Sequence, residues 1–214
     1  MAKERKRAYN APHRQAQAAR TREEIVRAAK EAFEERGWSG TTVAAIAGGA
    51  GVSHKTVEAV FGTKAALLQA AVEYAIRGDT GPEPVVRRDM VQRMEAAPDA
   101  PSMLRLHAAH LRLINERSAR IAWAVEHAAA SDRVVAELWQ RMNQNRAFGV
   151  RWATKTLLGK PGRKRGLTRA NVEAVFWVAL DWATFRTLTE QAGLDADGFE
   201  AWLRRYYAGT LLPS

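Results

Sequence analysis

Thr41-Thr42-Val43-Ala44-Ala45-Ile46-Ala47-Gly48-Gly49-Ala50-Gly51-Val52-Ser53-His54-Lys55-Thr56-Val57-Glu58-Ala59-Val60-Phe61-Gly62-Thr63-Lys64 is the stretch that decides the fold. The two threonines offer a cap for a short helix ending at Ala50. Gly51-Val52 makes a turn, and Ser53 caps a second short helix that Gly62 closes. Helices joined this closely keep a fixed angle only where they touch. Ala47 is small enough to let the second cross the first, and Gly51 supplies the positive φ that a side chain resists. Val43, Ile46, Val52, Val57 and Phe61 are expected to face a shared core with Ile25, Ala29 and Phe33. His54, Lys55, Thr56, Glu58 and Ala59 then occupy the outer face of the second helix, about as wide as a DNA major groove accepts.

Working outward, Ile25, Ala28, Ala29, Ala32 and Phe33 recur at three and four, predicting a helix from Thr21 to Arg36. Thr21 is its expected cap, Glu23 and Glu24 suit its first turn, and Gly37 stops it. Thr63 caps a helix over 64–77. The turn-rich hexapeptide Asp79-Thr80-Gly81-Pro82-Glu83-Pro84 reads as a hinge. Beyond it, helices are expected at 84–96, 102–115, 118–130, 132–158, 168–192 and 195–211. Pro98, Pro101, Asn115, Ser131 and the stretch 159–166 are the expected breaks. No alternating β-branched run is long enough for a strand, so the expected fold is all-α. The expected parts are a basic mobile arm over 1–20, a three-helix domain over 21–67 and a larger helical domain over 68–214.

Charge bears on partners. The chain of 214 residues has a formal net charge of +10, with 47% apolar and 26% charged residues. Residues 1–22 hold seven basic side chains against Glu4 alone, whereas residues 23–64 hold five basic and six acidic ones. A second basic cluster, Lys160, Arg163, Lys164, Arg165 and Arg169, contains no acid. The absence of cysteine excludes disulfides, thiolate metal sites and a cysteine nucleophile. Charges interrupt every apolar run short of a membrane span. The basic start MAKERKRAYN has no apolar stretch behind it, so secretion is not expected and the expected compartment is the cytoplasm.

The segment from Arg22 to Leu68 resembles the tetracycline-repressor (TetR) family. It carries Ala28-Ala29, Phe33 and Gly37, then Thr41-Thr42, Ile46-Ala47 and Ala50-Gly51-Val52-Ser53, then Phe61, Lys64 and Leu67-Leu68. The match covers roughly a third of the chain. It implies an N-terminal helix-turn-helix DNA-binding domain and a C-terminal helical ligand-binding and dimerisation domain. Ser53 would cap the recognition helix, with His54, Lys55 and Thr56 meeting bases or phosphates. Thr42 and Lys64 would hold phosphates at helix ends. Glu58 could accept from a cytosine amino group or repel phosphate. One departure concerns the tyrosines that the family uses on phosphates, for which this chain has Glu58 and Val60. Because residues 23–64 carry more acid than base, Lys3, Arg5, Lys6 and Arg7 are expected along phosphates or in the adjacent minor groove.

Nothing in the C-terminal part spells catalysis: no phosphate loop and no nucleophile elbow is present, and neither enzyme activity nor a cofactor is expected. His107 and His110 share a helix face, but Glu126 is the only acid near His127, so no metal site is expected. Aromatic residues concentrate after residue 120. Val172, Val175, Phe176, Ala179 and Ala183 form one stripe, and Trp202, Leu203 and Tyr206 another. Both are expected at a twofold homodimer interface, which predicts a near-palindromic operator. The resemblance places an effector cavity after the hinge. Its candidate lining is Leu104, His107, Leu111, Trp123, His127, Trp139, Met142 and Trp177, suited to a hydrophobic or aromatic molecule that releases a repressor from DNA. The alternative is a DNA-binding dimer with no small-molecule effector.

Overall fold

The computed structural model describes residues 2–81 and 88–213, with side chains from His13 onward. Among the described residues every regular element is helical. They are α1 (Ala2–Gly40), α2 (Val43–Gly49), α3 (His54–Phe61), α4 (Lys64–Arg77), α5 (Asp89–Ala96), α6 (Ala100–Ala129), α7 (Arg133–Leu158), α8 (Arg169–Ala179), α9 (Trp182–Arg186) and α10 (Ala196–Leu211). A π-helical segment, Thr187–Gln191, lies between α9 and α10. The chain divides into two units, Met1–Ala75 and Ile76–Ser214.

In the first unit, Ile25, Ala29, Phe33, Ile46, Val57 and Leu67 are each at most 1% exposed and form one core. Burying each of the larger ones stabilises by about 1.5–3 kcal/mol. Val43, Val52 and Phe61 sit at its edge, half-buried. α1 begins at Ala2, so the residues read as an arm continue the first helix and Thr21 lies inside it, not at its cap. The run His13-Arg-Gln-Ala-Gln-Ala-Ala-Arg20 explains this, since Ala, Gln and Arg are all good helix formers. Gly37, with φ 66 and ψ −173, breaks the helical path where the sequence predicts a stop. Thr41 holds the corner behind it. Its buried hydroxyl lies 2.9 Å from the Ala32 carbonyl oxygen and 2.8 Å from that of Gly37.

In the second unit α6 and α7 run antiparallel. Their shared far end is tied by Ala100 N–H donating to the Pro161 carbonyl at 2.9 Å. The expected break at Asn115 does not occur. Asn115 is 2% exposed, and its amide donates to the Leu111 carbonyl one turn back. Ser118 bonds the Ile114 carbonyl in the same way. Both residues satisfy their polar atoms without leaving the helix. The single helix expected over 168–192 is interrupted at Leu180-Asp181. There Asp181 caps α9 by accepting from Thr184 N–H at 3.2 Å and pairs with Arg146 of α7. At the centre, His107 Nδ1 and the Tyr207 hydroxyl share a hydrogen bond, with Phe176 edge-on to the imidazole at 5.1 Å. The beginning of the helix expected from residue 84 lies outside the described residues, and its described part starts at Asp89.

Candidate nucleic-acid interface

The geometry of α2 and α3 follows from their caps. Thr42 is extended (φ −117, ψ 153), and its hydroxyl accepts from Ala45 N–H at 3.1 Å. Ser53 (φ −74, ψ 152) does the same for α3, accepting from Thr56 N–H at 3.1 Å and meeting the Thr56 hydroxyl at 2.8 Å. Gly51 has φ 66 between them, a conformation that strains any side-chain-bearing residue. α3, about two turns long, is amphipathic. Val57 is buried against the core, whereas His54, Lys55, Glu58 and Ala59 are exposed and Thr56 is half-buried. The first turn of α3 holds no acid, so its unpaired N–H groups and dipole are open to an anion.

Two charges on this face have neighbours. His54 Nδ1 stands 3.4 Å from Glu58 Oε2, one helical turn on, with both side chains about half exposed. Glu58 thus has a polar neighbour on its own face. Lys64 is turned inward. Its ammonium donates to the Trp38 carbonyl and sits 4.2 Å from the centre of the Trp38 ring. Trp38 in turn stacks on Phe33, and the Arg22 guanidinium lies 4.4 Å from the Phe61 ring centre. Sequence reasoning missed these ties through Thr41, Trp38 and Arg22. An aromatic residue just after the helix-stopping Gly37 was the available signal. Val60 is 37% exposed, and with Glu58 it leaves the outer face of α3 without a phenolic hydroxyl. Arg5, Lys6 and Arg7 lie outside the residues whose side chains are described.

The residues read as an effector pocket separate into two environments. Leu104, His107, Leu111 and Met142 are buried in the second unit, and Trp139 is half-buried with its ring 6.0 Å from that of Trp182. Trp123 and Trp177 are 40% and 38% exposed. His127 packs its ring 4.2 Å from Trp123 on the surface. An apolar spacing identifies a buried stripe but not the direction each side chain takes. Burial pushes His107 down to about 3, helped by the neighbouring His110, which burial and Arg117 hold at about 4. Both imidazoles are therefore neutral. Among the described residues no group of three His, Asp or Glu side chains could hold a metal ion.

The expected dimer stripes also need redrawing. Val172, Phe176, Ala179 and Leu203 are each fully buried within one protomer, where α8 and α10 close over α6 and α7. Val175, Trp202 and Tyr206 are half-buried and Ala183 is exposed. The outward face of α8 is Ala174, Trp177 and Val178, with the last two 38% and 41% exposed. Val172, Phe176, Ala179 and Leu203 thus serve the protomer's own core.

A capped, glycine-turned pair of short helices with a polar outer face, on an all-α chain of two units, defines a helix-turn-helix protein. Residues 25–71 match the family model described as bacterial regulatory proteins, tetR family. The whole chain has the fold of solved regulators. NalD of Pseudomonas aeruginosa, the secondary repressor of the MexAB-OprM multidrug efflux pump, is 22% identical over 91% of this chain and 97% of its own, with a TM-score of 0.66. A protein from Saccharomonospora viridis crystallised in complex with choline is 15% identical over 93% of this chain and 100% of its own, with a TM-score of 0.65. A transcriptional regulator from Rhodococcus sp. Rha1 is 17% identical over 87% of this chain and 94% of its own, with a TM-score of 0.59. No curated protein matches the sequence. Among the described residues no helix is long and apolar enough to cross a membrane.

Proposed function

We propose that this chain is a homodimeric DNA-binding transcriptional regulator acting in the cytoplasm, a repressor released from a palindromic operator by a small effector. The observation that carries the reading is α3 itself. It is capped by Ser53, held by Val57 and preceded by a positive-φ Gly51, and it presents exposed His54 and Lys55 beside half-buried Thr56 at an N-terminus whose first turn holds no acid. In this reading Lys55 and Thr56 meet DNA with His54, Thr42 supports α2 on a phosphate, and Glu58 restrains His54 and excludes phosphate from the middle of α3. Arg5, Lys6 and Arg7 add sequence-independent affinity. The twofold partner docks on the outward face of α8 at Trp177 and Val178.

Support for an effector lies in the polar groups inside the second unit. His107 and His110 are neutral imidazoles, and the Thr154 hydroxyl is fully buried with no hydrogen-bond partner among the described residues. An unsatisfied buried hydroxyl costs about 1–3 kcal/mol, which a ligand atom would relieve. NalD represses an efflux pump and the Saccharomonospora protein holds choline, so small molecules suit this fold. The second reading, a dimeric regulator without effector, is favoured by the separation of the expected pocket residues into core and surface.

The test is selection from a pool of random duplexes by the purified protein at moderate salt. A near-palindromic consensus with half-sites about one helical turn apart is expected, and that duplex then serves to screen for releasing ligands. Steeply salt-dependent binding without any consensus would refute sequence-specific regulation.

A further inference from the structure

The loop joining α7 to α8 is basic and rigidly built. Between residues 159 and 169 it carries Lys160, Arg163, Lys164, Arg165 and Arg169 and no acid. Lys164 N–H donates to the Leu211 carbonyl at 2.9 Å and Ala100 N–H to that of Pro161. Lys160 Nζ donates to the Ala97 carbonyl at 2.6 Å and Arg163 Nη1 to that of Lys160 at 2.7 Å. Gly162, at φ 78, lies so near α6 that a Cβ on it would stand 3.4 Å from Pro101 Cδ. The loop is therefore a fixed knuckle at the end of the second unit where α6 starts and α7 and α10 finish.

Cations beside helix C-termini commonly serve only to complement the exposed carbonyls. Lys160 and Arg163 bond carbonyls in this way. Lys164 and Arg165 on the knuckle, with Arg151 and Lys155 on the last turns of α7, are exposed, and their charged heads have no partner among the described residues. Glu95 and Asp99 stand beside the knuckle and offset part of this charge, yet the cations outnumber them, and an extended polyanion complements the excess. The surroundings select which polyanion. Pro161, Gly162 and Gly166 adjoin the cations and Leu167, Trp152 and Leu212 are half-buried, so among the described residues the knuckle shows no exposed large apolar anchor for a protein interface or a bilayer. Affinity must come from charge alone, as with a phosphodiester backbone. Residues 23–64 carry more acid than base, so a backbone contact here would add to the one proposed for Arg5, Lys6 and Arg7.

We infer that the α7–α8 knuckle makes a second, sequence-independent contact with the phosphate backbone of duplex DNA. Its choice of polyanion rests on the DNA-binding reading above. The experiment is lysine acylation of the full-length protein with and without a random-sequence duplex at low salt, read residue by residue by mass spectrometry. Labelling of Lys155 and Lys164 slows severalfold on adding DNA and recovers at high salt, while Lys55 reports independently on α3. In parallel, K164Q/R165Q lowers the slope of log affinity against log salt by about 2, since each lost phosphate contact removes about 0.9. Protection of Lys55 with unchanged Lys155 and Lys164 overturns the knuckle contact and leaves the DNA-binding reading intact. Protection of neither set overturns both. Equal protection of Lys164 by polyglutamate and by DNA assigns the knuckle to acidic proteins and overturns the inference.

Discussion

His107 Nδ1 and the Tyr207 hydroxyl, 100 residues apart in sequence, lie 2.8 Å from each other in the core of the second unit. Burial disfavours the charged form of each, so the pair is neutral and joins α6 to α10. A hydrogen bond placed where water cannot compete fixes the relative rotation of the two helices more sharply than apolar packing alone.

This pairing makes stability depend on acid. The folded His107 titrates near 3 against an ordinary value of 6.5, so below pH 6.5 the unfolded chain binds the extra proton and the folded chain does not. Stability is full above pH 6.5 and falls as pH drops toward 3, with His110 adding to the effect down to about 4. At pH 5 the His107 contribution is a loss of about 2 kcal/mol. Denaturant melts at pH 7.5 and pH 5 should show the drop, and H107Q, which keeps a polar partner for Tyr207 but does not titrate, should show a smaller one. An equal drop in H107Q would contradict the assignment.

Ser53 acts as a cap. Ser53→Ala removes the acceptor of the Thr56 N–H and is expected to destabilise by about 1 kcal/mol, whereas Ser53→Gly costs only a few tenths. Both lack the hydroxyl, so comparing their DNA affinities separates capping from contact. S53G is expected to bind DNA nearly as well as wild type; an equal loss in both variants would mean that the hydroxyl touches DNA.

Lys55 and Lys64, both expected at DNA, differ in their surroundings. Lys55 is exposed, and K55A should lower the salt slope of DNA binding by about 1. Lys64 is held by Trp38, so K64A should leave the slope alone and destabilise by about 0.5–1 kcal/mol. A K64A slope reduced as much as that of K55A would restore Lys64 to the DNA.

The outward face of α8 should govern assembly. W177E/V178E is expected to sediment as a monomer where wild type sediments as a dimer. L113E, at an equally exposed apolar position on α6, is expected to leave the dimer intact. A dimer that survives W177E/V178E places the twofold axis elsewhere.

What the sequence made legible was local. The caps at Thr42 and Ser53, the turn at Gly51 and the stop at Gly37 depend on residues within a few positions of each other, and all appear where the spacing predicts. What it hid was the destination of each face. Val172, Phe176 and Ala179 announce a buried stripe, but periodicity is silent on whether a stripe meets its own protomer or a partner. Asn115 looks like a break until its amide finds the Leu111 carbonyl. Lys64 reads as a phosphate ligand from the sequence, and its bond to the Trp38 carbonyl, 26 residues away, is invisible there.

In the second unit α6, α7, α8, α9 and α10 each start at a residue, namely Asp99, Asp132, Thr168, Asp181 and Asp195, whose own side chain accepts a hydrogen bond from the helix it opens. Where these five helices begin is thus written beside them, whereas α5 starts at Arg88 without a side-chain cap. A chain built this way can exchange much of its interior and still restart these five helices in phase.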